Sequence, residues 1–282
     1  WLVNKSLKAI NPKKLIFASY DIWPNLIWKA KELNIPTVLF AAKFKRRTNK
    51  LIPIVKSFYH HIYNNFYSIY TITKNDDKKL QLILRKPNHV ITRVLGNPRY
   101  DQVNMVLDQY SIKHTKDLLK RKKCIILGSM HNDDKNNIID GLMEVINHNS
   151  DISVIWAPHE PLPKNINSIY DYFLNKGHSV ALFSEQNDSV INHARIIIID
   201  TIGVLSQIYW DGIIAYIGGG FSTGIHNVME PAIARLPVIF GPRYDSFQEA
   251  IELIDLEGGW SINNNEEFYN IVNKLINNEK ML

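Results

Sequence analysis

The sequence predicts two parallel α/β domains, the first of them incomplete. Short apolar runs alternate with helical periods through most of the 282 residues, the pattern of a parallel sheet covered on both faces. The alternation breaks once, at Gly96–Asp101 and the charged stretch 113–123, and then restarts. The first residue is Trp1 rather than Met, so the chain reads as a fragment whose leader or anchor, if any, lies upstream. At roughly 150 residues per domain the length suits two domains, expected at 1–103 and 104–282.

In the first domain, Leu15–Ala18 reads as a buried strand and Trp23–Leu33 as a helix, followed by strand Thr37–Ala42. Ile52–Phe66 has helical apolar spacing, Ser68–Ile72 is a third strand, Asp76–Leu84 a helix and Val90–Leu95 a fourth strand. The second domain opens with strand Cys124–Leu127, helix Lys135–Asn147, strand Ser153–Ala157 and helix Asn165–Lys176. Strand Ile196–Ile199, helix Val204–Trp210, strand Gly212–Ile217 and helix Asn227–Arg235 follow, then strand Val238–Phe240 and helix Phe247–Leu256. That last helix carries Phe247, Ala250, Ile251 and Ile254 on one stripe, with Gly258 expected as its C-terminal cap.

Composition narrows the function. With 45% hydrophobic and 21% charged residues the chain is a folded protein, which excludes disorder, collagen and coiled coil. A lone Cys124 excludes a disulfide framework, and its place inside an apolar run makes it a core thiol rather than a nucleophile. No apolar run approaches the roughly 18–20 residues that span a bilayer. The net charge is +6, with early excess at Lys29, Lys31, Lys43, Lys45, Arg46, Arg47, Lys50 and Lys56. Such a surface suits an anionic lipid or a phosphorylated substrate, and is equally read as a solvated Lys-rich face. Nucleic acid is disfavoured, because aromatic residues do not interleave with the basic ones.

Ligands of open parallel sheets bind beyond the carboxyl ends of the strands, and four post-strand turns carry suitable groups. Gly128-Ser129-Met130-His131 offers a close backbone approach, a hydroxyl for a phosphate oxygen and a helix N-terminus; a plain capped turn is the competing reading. Ala157-Pro158-His159-Glu160-Pro161 fixes a polar turn, with His159 able to face a base or phosphate. In Asp200-Thr201-Ile202-Gly203-Val204, Gly203 opens a helix whose amides could meet a base, against a simple Asp or Thr cap. The sharpest signal is Gly218-Gly219-Gly220 followed by Gly224-Ile225-His226-Asn227-Val228-Met229-Glu230-Pro231. Its glycines permit the geometry that grips a phosphate, and Glu230 is placed to accept both hydroxyls of a ribose. Metal binding by His226 and Glu230 at i, i+4 competes, without a further ligand cluster in view. There is no Asp-x-Asp and no Gly-Lys-Ser/Thr, so a divalent-metal diphosphate grip and a P-loop are both disfavoured.

In this order and spacing the turns resemble the donor half of a GT-B glycosyltransferase, and more narrowly the Kdo transferases of lipopolysaccharide synthesis. Asp21-Ile22-Trp23-Pro24-Asn25-Leu26, Ile35-Pro36-Thr37-Val38 and Gly96-Asn97-Pro98-Arg99-Tyr100-Asp101 are similar to that family's segments. So are Ser129 with His131, Gly224–Pro231, and Pro237-Val238-Ile239-Phe240-Gly241-Pro242. The resemblance implies two Rossmann-like domains and an inverting transfer of Kdo from CMP-Kdo to a lipid A precursor, at the cytoplasmic face of the bacterial inner membrane. It implies no cofactor. It places CMP against Ser129, His131, Pro158, His159, Ile202, Gly203, Val204 and Asn227 through Glu230, the last four including Val228 and Met229. It makes Arg99 the cationic stabiliser of the departing phosphate, without a metal. The family's catalytic Glu and membrane anchor would lie upstream of Trp1. Ser19 stands where the family has a carboxylate, His159 where Arg is common and Val204 where Glu is common. A transferase using a UDP-sugar and a non-catalytic nucleotide- or lipid-binding fragment are the alternatives.

Overall fold

The computed structural model describes residues 2–19, 21–44, 48–101, 103, 105, 121–185 and 193–282. The chain divides into two compact units, Trp1–Gln102 and Val103–Leu282. The first contains α1 (Leu2–Ile10), β1 (Leu15–Ala18), α2 (Pro24–Glu32), β2 (Thr37–Ala42), α3 (Pro53–Tyr63), β3 (Ser68–Thr71), α4 (Lys74–Leu84) and β4 (Ile91–Val94). Its strands form a parallel sheet in chain order, β1-β2-β3-β4. Phe17, Leu39 and Ile69 on the strands pack with Ile27, Ile62, Leu80 and Leu84 on the helices. Pro24 and Pro53 open their helices, where a missing N–H costs nothing and the fixed φ suits the first turn.

Helix α4 begins a turn before the apolar stripe that predicts it. The Thr73 hydroxyl accepts from the Asp76 N–H at 3.0 Å, and the Asp76 carboxylate accepts from the Thr73 N–H at 3.2 Å, a capping box that fixes the start. Asp76 also accepts from the Phe44 N–H at 2.7 Å, tying down the chain beyond β2. Lys50, counted from sequence among the basic face, points elsewhere: it donates to the Tyr63 hydroxyl at 2.8 Å and lies over the Tyr59 ring, 4.6 Å from its centroid. Arg46 and Arg47 lie outside the described residues.

The second unit contains β5 (Cys124–Met130), α5 (Asn132–His148), β6 (Ser153–Pro158), α6 (Pro163–Asn175), β7 (Val180–Leu182), β8 (Ile196–Ile198), α7 (Leu205–Ile208) and β9 (Ile214–Ile217). It continues with α8 (Met229–Ile233), β10 (Val238–Phe240), α9 (Gln248–Asp255), β11 (Gly259–Ser261) and α10 (Asn265–Ile276). The sheet order is β11-β10-β9-β5-β6-β8-β7 and every pairing is parallel. Strand residues alternate between two cores. Ile125, Leu127, Val154, Trp156, Ile214 and Tyr216 pack beneath α5, α6 and α10. Cys124, Ile126, Ile155, Ala215, Ile217 and Phe240 face Tyr209, Trp210 and Ala250 on the other side. Both sheet faces are therefore buried, which explains the unbroken apolar runs.

Cys124 is indeed a core thiol, and burial pushes it up to about 11. The chain leaves β5 to one side of the sheet and returns to the other at β9, so β5 and β9 flank the topological switch point. In open α/β sheets that crevice is the ligand position. One expectation is corrected at α9: the left-handed residue after the helix is Glu257, with φ 59°, not Gly258. Gly258 follows it and returns its N–H to the Leu253 carbonyl at 2.9 Å.

Candidate functional site

The turns after β5, β6 and β9 meet at this crevice. Along β5 the pairing with β6 shifts register between Leu127 and Met130, and Ser129 takes a left-handed φ of 55°. A non-glycine residue held there stores strain of order 1–3 kcal/mol, which surrounding contacts must hold in place. His131 then begins α5, and the His159 N–H returns to the Met130 carbonyl at 2.9 Å, clamping the β6 turn onto the β5 turn. Gly128 has a different role from the one expected. It lies within β5, and a Cβ there would sit 2.0 Å from the Tyr209 hydroxyl oxygen. Its missing side chain makes room for Tyr209 rather than for a ligand.

The glycine loop follows β9 with Gly219 and Gly224 at φ 90° and 117°, conformations that only glycine adopts without strain. Asp134 fastens it. This fully buried carboxylate accepts from the Gly219 N–H at 2.7 Å, the Tyr216 hydroxyl at 2.9 Å and the His131 N–H at 3.1 Å. One side chain therefore ties the start of α5 to the loop after β9. Burial, and then the Asp134 charge, raise the Tyr216 hydroxyl far above its ordinary value, so it stays a proton donor. Asp134 was missed from sequence, although an acid three residues after a helix N-cap is a recognisable signature; histidine at the cap position hid it.

These fixings bring three imidazoles together. His131 and His226 place their Nε2 atoms 2.7 Å apart, so one donates to the other. His159 lies against both, with ring centroids 4.3 Å from His131 and 4.4 Å from His226. His131 and His226 are half-buried and His159 is exposed. Burial lowers the His226 pKa, and the His159 and His131 rings lower it further. Beside the cluster opens a cavity of about 550 Å³ whose lining includes His131, Pro158, His159, Lys135, Lys164 and one carboxylate, Glu160. Asn132 and Lys135 come from the first turn of α5, Lys164 and Asn165 from that of α6, so two helix N-termini border it. Their free N–H groups and partial positive charge, with the two ammonium groups and the imidazoles, suit an anion.

His131, Pro158 and His159 thus line one cavity, whereas Ser129, residues 202–204 and residues 227–230 are not in its lining. Ile202 is exposed, Gly203 has φ 82° and Val204 precedes the short α7. Asp200, weighed as a cap for that helix, instead accepts from the Ser184 N–H and hydroxyl. The Asn227 carboxamide accepts from the Met229 N–H at 3.0 Å and donates to Glu230 at 2.9 Å. Burial raises the Glu230 pKa, an effect the Asn227 bond opposes. Glu230 therefore turns to Asn227, and the ligand set weighed from spacing, His226 with Glu230, is not the one that assembles.

In the first unit Ser19 follows β1 with φ 53°, its N–H on the Phe40 carbonyl at 2.9 Å. Arg99 is exposed in the first turn of a helix that opens at Pro98 after β4, its N–H held by the Asn97 side chain at 3.1 Å.

Residues 1–102 match the family model described as 3-deoxy-D-manno-octulosonic-acid transferase (kdotransferase). The chain is 26% identical, over 99% of its length, to a 3-deoxy-D-manno-octulosonic acid transferase of Chlamydia pneumoniae, covering 64% of that protein. It is 28% identical, again over 99%, to a bifunctional glycosyltransferase/methyltransferase of Fusobacterium nucleatum, covering 43%. The chain therefore spans under two thirds of the length of the curated relatives it matches. Among solved structures, a UDP-GlcNAc 2-epimerase from Neisseria meningitidis bound to UDP-GlcNAc superposes with a TM-score of 0.65 at 15% identity. It covers 99% of this chain and 73% of that one. At such identity the likeness shows the fold, which is the GT-B architecture of two parallel α/β units.

Proposed function

We propose that the chain is a Kdo transferase, which its first 102 residues and relatives aligned along nearly all of it support, and that it carries the donor side of an inverting glycosyl transfer. The donor is CMP-Kdo, the acceptor a lipid A precursor, and the place of work the anionic cytoplasmic face of the bacterial inner membrane. What supports this reading is the anion-suited crevice at the switch point, where three imidazoles adjoin two helix N-termini and two lysines.

The chemistry asks for no more than that. As the glycosidic bond breaks, negative charge grows on one phosphate of the leaving CMP. Fixed N–H donors aimed at such a group contribute roughly 10²–10³ in rate each. His131, His159 and the opening amides of α5 take the phosphate, and Ser129 adds its hydroxyl. Asn227 through Glu230 and residues 202–204 hold the ribose and base, with the Glu230 carboxylate accepting from the sugar hydroxyls. Arg99 supplies a further cation to the transition state. Ser19, at a position where the family has a carboxylate, contributes no charge.

The reading is tested, in a protein that also carries the upstream segment where the catalytic Glu is expected, by transfer of labelled Kdo from freshly generated CMP-Kdo to a lipid A precursor. Glu230→Ala raises the donor KM at least tenfold if Glu230 grips the ribose. An unchanged KM removes that assignment. Transfer from a UDP-sugar in place of CMP-Kdo overturns the donor assignment, and salt-resistant liposome binding without any nucleotide affinity replaces the enzyme reading altogether.

A further inference from the structure

We propose that His131, His159 and His226 form a binding site for a divalent cation of the zinc class. The three side chains come from separate turns, at the carboxyl ends of β5, β6 and β9, and each offers a ring nitrogen within 4.8 Å of the others. Histidines that merely fill a surface point their nitrogens apart; here the nitrogens converge. The 2.7 Å approach of His131 Nε2 to His226 Nε2 is held by one shared proton, which a cation would replace while recruiting the third ring.

The donor set selects the ion. Three neutral nitrogen ligands without a carboxylate suit Zn²⁺, Co²⁺ or Ni²⁺, and offer little to Mg²⁺ or Ca²⁺, which take oxygen. Zinc–nitrogen bonds of about 2.0–2.1 Å in tetrahedral geometry separate ligand nitrogens by roughly 3.3 Å. Seating the ion therefore opens the His131–His226 pair by about half an ångström, a small side-chain rotation. His159, exposed and stacked on both other rings, has to swing its nitrogen from their faces toward the ion.

The support expected behind metal ligands is also present. Asp134 accepts from the backbone N–H groups of His131 and of Gly219, in the loop that carries His226, so one buried carboxylate holds the backbone of two ligand turns in register. Three protein ligands leave a fourth position, and the 550 Å³ cavity bordering His131 and His159 leaves room there for an oxygen of water or of a bound anion. Lys135, whose ammonium lies over the Tyr172 ring at 4.8 Å, shares the cavity wall with the Glu160 carboxylate, which offsets part of the local positive charge. Two of the three rings, His131 and His159, also take the donor phosphate in the function proposed above, so the ion and direct ring contact with the phosphate are alternatives that the titration below distinguishes.

Chelator-treated, tag-free protein is titrated with Co²⁺ and read by the visible bands of four-coordinate cobalt. One equivalent binds, and Zn²⁺ bleaches the bands. His159→Ala and His226→Gln each weaken the affinity at least about tenfold, while the paired change His60→Ala with His61→Ala, on α3 of the other unit, leaves it unchanged. Far-UV circular dichroism establishes that each variant is folded. A folded parent that develops no bands overturns the proposal, as does affinity that survives both His159→Ala and His226→Gln. CMP titrated into the same metal-free sample separates the two readings: CMP bound without any cobalt site removes the metal and leaves the donor assignment standing.

Discussion

Replacing Asp134 tests how the crevice is held open. Its carboxylate accepts from Gly219 at 2.7 Å, Tyr216 at 2.9 Å and His131 at 3.1 Å, and the residue is fully buried. Asp134→Ala leaves three buried donors without a partner. Each orphaned donor costs about 1–3 kcal/mol, and because the three share one cavity the sum is damped to about 3–5 kcal/mol. Asp134→Asn is milder. Its carbonyl oxygen keeps Gly219 and His131, and the Tyr216 hydroxyl turns to accept from the amide, for a loss of about 1–1.5 kcal/mol. Urea unfolding followed by the fluorescence of Trp156 and Trp210, both buried in this unit, measures the difference. Loss of less than about 1 kcal/mol in the alanine variant refutes the reasoning. So does an asparagine variant as unstable as the alanine one, because then the satisfied donors are not what matters.

Gly128→Ala drives a Cβ to within 2.0 Å of the Tyr209 hydroxyl and costs about 1–3 kcal/mol by overpacking. Tyr209→Phe recovers part of that loss in the double variant, and strictly additive losses in thermal melts would disprove the clash. His226 has a lowered folded pKa, so its contribution to stability is complete above the unfolded value near 6.5 and is lost as pH falls below it. Melts across that range show a decline that His226→Gln flattens; identical pH profiles for parent and variant contradict this. In a protein that also carries the upstream segment where the catalytic Glu is expected, Arg99→Ala lowers Kdo transfer by roughly 10²–10³ if the guanidinium meets developing charge, and unchanged turnover excludes that role.

The strands that read most clearly are apolar runs fenced by proline. Thr37–Ala42 after Pro36 and Val238–Phe240 after Pro237 begin and end where expected, since a residue before proline is held extended and the run itself has no polar alternative. Elements with weaker local signals escaped. Strand β7 is three residues at a sheet edge, β11 is Gly-Trp-Ser, and α1 carries a single fully buried residue, Leu7. Helix α10 was legible in principle, because Phe268, Val272 and Leu275 form a helical stripe, all buried.

At the site, the glycine loop announced itself through its own residues, and Gly219 and Gly224 do take positive φ. Gly128 misled, because a glycine that accommodates Tyr209 from a distant helix looks, locally, like one that accommodates a ligand. The histidine cluster had no local signal at all. His131, His159 and His226 belong to three turns that become neighbours only through the strand order β9-β5-β6, a tertiary fact that no spacing rule contains.

Calorimetric titration of the chain with CMP, against UMP and UDP, tests the central claim most directly. The account predicts saturable CMP binding that exceeds UMP and UDP and is lost in Glu230→Ala. A folded chain that binds no CMP, or prefers UDP, contradicts it.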